Sequence, residues 1–230
     1  MHRRNSTLQS PIHWNTKRGA GLFLARNEKS DWREPVPLAE IRPTQMAVGM
    51  RSVEVKRRKI ERHAGSSRKL RRFIEGRPIP AVLGPEEDYY IIDHHHLSLA
   101  LWQSEVDEVF VRLVGDLSDM PKRAFFQVMA ALGWLHAYDV QGRKICPTRL
   151  PTTLDQLQCD GYRDLAWSVR EAGGFTKTQI PFSEFAWANF FRERIPAAVL
   201  SRDFERAHER GMRLACSHDA RHLPGNLYRS

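Results

Sequence analysis

Residues 93 to 96 read Asp-His-His-His, set between the apolar run Tyr89-Tyr90-Ile91-Ile92 and the helical pattern Leu97, Leu99, Ala100, Leu101. A carboxylate followed by three imidazoles offers metal ligation, phosphate chemistry or plain helix capping. Three adjacent histidines on a strand cannot all face one ion, because neighbouring side chains project to opposite faces. Two could converge across a strand-to-helix junction, with Asp93 as a third ligand and the remote His63 or His136 completing the set. Metal motifs on helices instead space their ligands four residues apart. The junction suits an anion better. The first N–H groups of a helix lack internal partners and carry the positive end of its dipole, so a phosphate there is bound directly. A histidine in the same turn adds a donor, and a neighbouring carboxylate can hold Mg2+ or accept a hydroxyl proton. In the capping alternative, Asp93 closes the helix and the histidines satisfy local hydrogen bonds.

The elements around this turn are legible as patterns. A strand is expected from Val36 to Ile41, ending by Pro43, since the residue before a proline is pushed out of the α region. Thr44 is the candidate N-cap of a helix over QMAVGMRSVEVKRRKIER, which carries a basic outer face. HAGSSRKL reads as a flexible basic loop, and IPAVLGPEEDYYIID as two short strands joined by a Gly-Pro turn. A short helix to about Ser104 and a strand within DEVFVRLVGDL follow. From Met120 onward the apolar spacing is helical, with Phe125, Met129, Leu132 and His136 placed on one face. The aromatics of this half are expected to be core rather than a base-stacking platform. Arg163, Asp164, Arg170 and Glu184, set among those aromatics, are expected to form a buried ion pair tying helices together, the alternative being that they close over the site and help select a substrate. The fold class is therefore α+β. A basic leader at residues 1–34 precedes a small α/β domain at 35–119 and an all-helical half at 120–230.

Charge narrows the partners. The net charge is +9, yet residues 1 to 72 hold 18 Lys and Arg against 6 Asp and Glu, so the whole excess lies in the first third. Ten of those cations fall between Arg51 and Arg72, a field that attracts a phosphate-bearing partner. A solvated helix face with no partner is the alternative. The leader contains Arg3, Arg4, Lys17, Arg18 and Arg26, with no acidic residue before Glu28 and no apolar stretch behind it. It is not a secretory signal and reads as a disordered segment rather than a mitochondrial presequence. No window approaches 18 consecutive apolar residues, which argues against a membrane span. Cys146, Cys159 and Cys216 show no paired spacing, as expected of thiols in a reducing, cytoplasmic setting.

With these residues in place, IIDHHHLSLAL resembles the Asp-Gly-His-His signature of the ParB/sulfiredoxin superfamily. VPLAEIRPTQMAVGMRSVEVK is similar to that fold's first strand and helix, and RPIPAVLGPEEDYYIID to its hairpin. That likeness covers roughly residues 35 to 118. The set LAEIRPTQMAVG, DHHH, LPTTLDQL, YRDLAWSVREAGG, PFSEFAWANFFR and LPG resembles, more narrowly, the ParB-like nuclease family, over nearly everything after the leader.

The superfamily includes DNA-segregation proteins that hydrolyse CTP, sulfiredoxins that use ATP, and free-serine kinases. The resemblance implies that Asp93 and His95 are catalytic, with Asp93 also the Mg2+ ligand. It implies that Arg42, Gln45, Lys56, His94 and His96 bind the phosphates of ATP or CTP. Departures accompany it. His94 stands where glycine is usual, and Gln45 about where kinase members place a catalytic glutamate. No cysteine occupies the sulfiredoxin position, which disfavours sulfinic-acid reduction, and no helix-turn-helix is recognisable after residue 120.

The function expected first is a nucleotide-binding phosphotransferase or nucleotide hydrolase acting on a small-molecule or protein acceptor. A DNA-binding protein or metal-dependent nuclease is the alternative. It would use Arg51, Arg57, Arg58 and Lys59 on the phosphate backbone, with two or three of residues 93–96 holding a divalent metal. A third possibility is an interaction module whose basic helix meets an acidic partner.

Overall fold

Proline sets the entry of the chain. Pro37 and Pro43 bracket β1 (Val36–Pro37), a 3-10 turn at Leu38–Glu40 and β2 (Ile41–Pro43), so the single strand expected over residues 36–41 is split by a turn. This computed structural model describes residues 35–228, and the basic leader expected at 1–34 lies outside the described residues. β3 (Ala47–Val48) precedes α1 (Met50–Ala64), capped by Gly49. The N-cap position therefore lies five residues later than the one expected at Thr44. That residue is occupied elsewhere, its hydroxyl donating to the Ile91 carbonyl at 2.7 Å.

The expected loop at HAGSSRKL is replaced from Ser67 by α2 (Ser67–Glu75). Ser66 Oγ accepts from Lys69 N, and Phe73 and Ile74 are buried, so a cap and an apolar face stabilise the helix. β4 (Ile79–Leu83) is buried at all five positions, as a strand covered on both faces must be. It pairs antiparallel with β5 (Tyr89–Ile91), giving the hairpin expected around the Gly-Pro turn. α3 (His95–Gln103) follows the histidine turn, then β6 (Glu108–Val109) and β7 (Val111–Asp116).

The main sheet runs β2–β5–β4–β7, with β2 parallel to β5 and β4 parallel to β7. On one face Ile41, Ile79, Ala81 and Ile91 pack under Val53, Ile60, Phe73, Leu97 and Leu101 of the first three helices. On the other, Val82 and Tyr90 pack against Phe125, Phe126 and Met129 of α4 (Lys122–Ala131). α4 stops before His136, because Leu132 is followed by Gly133 at φ +68°. His136 therefore does not share the helix face expected for it.

A short strand, β8 (Gln158–Cys159), leads into α5 (Gly161–Glu171), α6 (Ser183–Arg194), α7 (Ala197–Arg202) and α8 (Phe204–Ala215). Trp187 of α6 is fully buried, stacks on Phe175 at 4.1 Å between ring centres, and donates Nε1–H to the Pro224 carbonyl. These aromatics are packing, as their spacing indicated. Besides the packing of α4 under the sheet, polar connections cross residue 120. β3 pairs in parallel with β8, and Asp164 of α5 accepts from the Met50 and Arg51 amides at 3.1 and 2.7 Å.

Asp164 thus supplies to α1 the cap its own sequence lacks. Asp164→Ala is expected to lower unfolding stability by about 2 kcal/mol, the usual scale for losing charge-assisted bonds to helical amides. A lower urea midpoint at constant m-value checks this, and an unchanged midpoint refutes it.

Candidate functional site

The turn after β5 is held by its own polar groups. The His94 amide donates to Asp93 Oδ1 at 2.6 Å, and His94 then adopts φ 65°, ψ 18°. That is the left-handed region, favourable for glycine and costly for a side-chain-bearing residue, which is why glycine suits this position. No side chain caps α3, so its first amides are left for an anion.

The three histidines diverge from here. His95 is 4% exposed, and its Nε2 accepts from the Thr44 amide at 3.1 Å. His96 Nε2 accepts from the Gly49 amide at 3.2 Å. Each ring therefore ties the β2–α1 loop to α3 as a neutral acceptor. Burial pushes the His95 imidazolium down to about 3, and His96 falls well below the ordinary range for the same reason. His94 is lowered as well, by burial first, and its Nδ1 is buried with no partner.

Gly49 marks where three helix starts meet. Its amide bonds His96 of α3, and it caps α1. A Cβ there would stand 2.6 Å from Asp164 Oδ1 and 3.2 Å from the Arg163 carbonyl carbon at the start of α5. Only glycine admits that approach.

α5 contributes what the sequence reading left out of the site. Arg163 is 5% exposed, lies 3.9 Å over the Phe185 ring, and pairs with Glu184 through Nη2 at 3.3 Å. Its Nε and Nη1 are buried and have no acceptor. Burial brings its pKa down to about 10, with Arg170 pressing the same way. Arg170 also pairs with Glu184. Of the ion pairing expected among these residues, that of Arg163 and Arg170 with Glu184 is present and stands beside the histidine turn. Asp164 forms no ion pair among the described residues and bonds the Met50 and Arg51 amides instead. Arg163 lowers the pKa of both His95 and His96 through its charge. Lys56 projects from α1 into the same field. Burial lowers its pKa first, then Lys59 and Arg170, while Asp93 raises it. Lys177, after α5, also acts on Lys56 and His94.

Arg163, Arg170, Lys56 and Lys177 thus all act electrostatically on groups at one helix start that no side chain caps. His136 completes the wall, its ring 3.7 Å from that of Phe185 and its imidazolium pushed down to about 3 by burial and Arg163. A signal for the missing residues did exist in the sequence. Arg163 and Arg170 lie seven residues apart on one face of α5, opposite a glutamate on the next helix.

Other candidates stand apart from this arrangement. Arg42 bonds the Ala39 carbonyl and pairs with Asp88 at 2.8 Å, before β5 begins rather than beyond its end, where the histidines lie. It is not brought to the turn. Gln45 is buried, and its amide donates to the Ala47 carbonyl, a use internal to its loop. Arg57 is tied to Glu54 and Glu61, Arg58 to Glu54, and Arg51 lies 3.6 Å over the Phe204 ring. The phosphate-binding stripe expected on α1 is thereby largely spent on its own glutamates, with exposed Lys59 left on that face. The shared metal site expected at residues 93–96 is not formed. Among the described residues no group of three or more His, Cys, Asp or Glu side chains could hold an ion, because two of the rings point their Nε2 atoms at backbone amides. No helix among the described residues is long and apolar enough to cross a membrane.

The family model described as "Putative ParB-like nuclease" matches residues 34–193, a span holding the sheet, the histidine turn, α5 and Glu184. The chain belongs to that family. Its structure is similar to the crystal structure of protein Atu1540 from Agrobacterium tumefaciens, with a TM-score of 0.77 and 38% sequence identity, over 86% of this chain and 98% of that one. No curated protein matches the chain. The ParB-like assignment made from the sequence and the α+β fold class are both met.

Proposed function

We propose that this ParB-like chain binds a nucleoside triphosphate, such as ATP or CTP, with its phosphates on the first amides of α3, and that it transfers or hydrolyses the terminal phosphoryl group. The observation that carries this reading is the buried Arg163 guanidinium with two N–H-bearing nitrogens left without an acceptor. Native proteins rarely leave such donors unpaired, and a phosphate oxygen is the partner an arginine fork fits. Lys56, Arg170 and Lys177 add charge around the same point.

Phosphoryl transfer asks the protein mainly to position and to stabilise charge. An oxygen of water or of an acceptor hydroxyl bonds to the terminal phosphorus. The bond from that phosphorus to the bridging oxygen breaks, and its electron pair leaves on the nucleoside diphosphate. The proton of the incoming oxygen passes to Asp93, which is exposed at the turn. Arg163 and Lys56 take up charge on the phosphate oxygens. His95 and His96 act by position, fixing the loop that seats α3. One carboxylate beside a phosphate site fits Mg2+, which binds through one or two carboxylates plus substrate oxygens. Where Asp93 instead held the ion, the ion would neutralise developing charge there and the proton of the incoming oxygen would pass to solvent water.

Calorimetric titration of the folded chain with ATP, CTP and ADP, with and without Mg2+, tests the reading. Saturable triphosphate binding that weakens at least about tenfold in Lys56→Met is expected, from loss of one charge-assisted contact. Absence of any nucleotide binding by the folded parent would sink the proposal.

A further inference from the structure

We infer that α8 carries a second anion-binding surface, built to seat the phosphate backbone of a nucleic acid. A surface cavity of about 470 Å³ is lined by Arg206, Arg210 and Arg213 together with Val199 and Leu214. The three arginines follow at steps of four and three residues, so they form one row along a helix face. All three are exposed, and among the described residues no carboxylate pairs with any of them. Glu205 and Glu209 of the same helix do not line the cavity, and Glu205 faces His208 at 4.0 Å.

The dimensions select the occupant. At 1.5 Å per residue the row spans about 10 Å. One strand of a duplex presents a phosphate roughly every 3.4 Å along its axis, so three arginines over this length meet about three successive phosphates. Each cation is arginine, whose planar fork grips phosphate oxygens in pairs where lysine acts as a point charge. Val199 and Leu214 supply an apolar floor against which sugar faces can rest.

The contrast with α1 sharpens the inference. The densest run of basic residues lies there, yet Arg57 and Arg58 are held by Glu54 and Glu61. The unpaired row on α8 also lies beyond residues 34–193, outside the part of the chain that the family match covers. It is independent of the site at the histidine turn.

Fluorescence anisotropy with a labelled duplex oligonucleotide, over a series of salt concentrations, tests this on the full chain. Three proteins are compared: the parent, an Arg206→Gln, Arg210→Gln, Arg213→Gln triple variant, and an Arg57→Gln, Arg58→Gln, Lys59→Gln triple variant. The α8 variant is expected to bind roughly tenfold or more weakly, and its log–log salt slope to fall by about 2 to 3, near 0.9 for each lost phosphate contact. The α1 variant is expected to change the slope by less than about 1 on the same scale. Equal affinity and slope in the α8 variant and the parent overturns the inference. So does a loss confined to the α1 variant, or no binding by the parent. Poly-glutamate competing as well as duplex at equal charge marks a surface for any polyanion and overturns it too. Circular dichroism establishes that the variants fold. Should the α8 triple not fold, the single Arg210→Gln must lower the slope by about 1.

Discussion

An Arg163→Met chain is expected to fold at least as well as the parent while losing a hundredfold or more in triphosphate affinity. The two halves of that result come from one feature. A buried charge costs free energy unless its hydrogen bonds are met, and Arg163 leaves two of its nitrogens unmet. Its partner Glu184 keeps Arg170 when Arg163 is gone, so no carboxylate is stranded. A methionine of similar length retains the packing on Phe185, a contact sulfur also favours. Stability should therefore stay within about 1 kcal/mol of the parent or rise. Affinity should fall because each charge-assisted bond is worth about 1.5–3 kcal/mol and two donors are lost.

Paired measurements of urea midpoint and calorimetric binding decide it. A variant that is destabilised by several kcal/mol but binds nucleotide normally would make Arg163 a structural ion pair and nothing more. Stability gained where function is lost is the signature expected of a residue kept for its ligand.

How far this arrangement was legible follows from which interactions are local. The strand-to-helix turn at Asp93–His96 could be read because its signals sit side by side: an apolar run, polar residues, then helical spacing. The hairpin of β4 and β5 was legible for the same reason, with its turn chemistry between the strands. The start of α1 was not. Thr44 looks like a cap, but its amide is taken by His95, 51 residues away, and the cap comes from Asp164, 114 residues beyond Met50. Pattern reading assigns a polar residue to its nearest neighbours, and here tertiary partners outcompeted them.

The basic stripe was legible only as a choice between a phosphate partner and a solvated face. Counting charges between Arg51 and Arg72 does not pair them, and Glu54 and Glu61, three and four residues from Arg57, lie on its helix face and take up Arg57 and Arg58. Arg163 was seen and assigned to a buried ion pair, which is correct. Only its position beside the α3 start, with unmet donors, gives it more to do.

The same desolvation that keeps the site's histidines neutral should make the fold acid-sensitive, and this is the second large effect. His95 titrates at about 3 in the folded chain, against an ordinary value near 6.5 when unfolded. Below pH 6.5 the unfolded state therefore takes up a proton that the folded state refuses. Stability is intact above the unfolded pKa and is lost as pH falls toward the folded one, at about 1.4 kcal/mol per pH unit for each such group. By pH 4.5 His95 alone should remove roughly 2 to 3 kcal/mol, a large share of the 5–15 typical of a domain. His136, also at about 3, pulls the same way.

Asp164 opposes them. Burial raises it to about 6, so its contribution is present below its unfolded pKa and fades as pH rises through 6. One carboxylate does not offset two histidines with larger shifts. Urea midpoints from about pH 7 down to about pH 4.5, for the parent and for His95→Gln, isolate the imidazole. Glutamine can still accept from the Thr44 amide but cannot titrate, so its curve should be flatter by His95's share. Parallel curves would mean that His95 takes up its proton in the folded chain at the same pH as in the unfolded one. Below that pH its Nε2 could not accept from Thr44, and the loop that seats α3 would have to be held some other way.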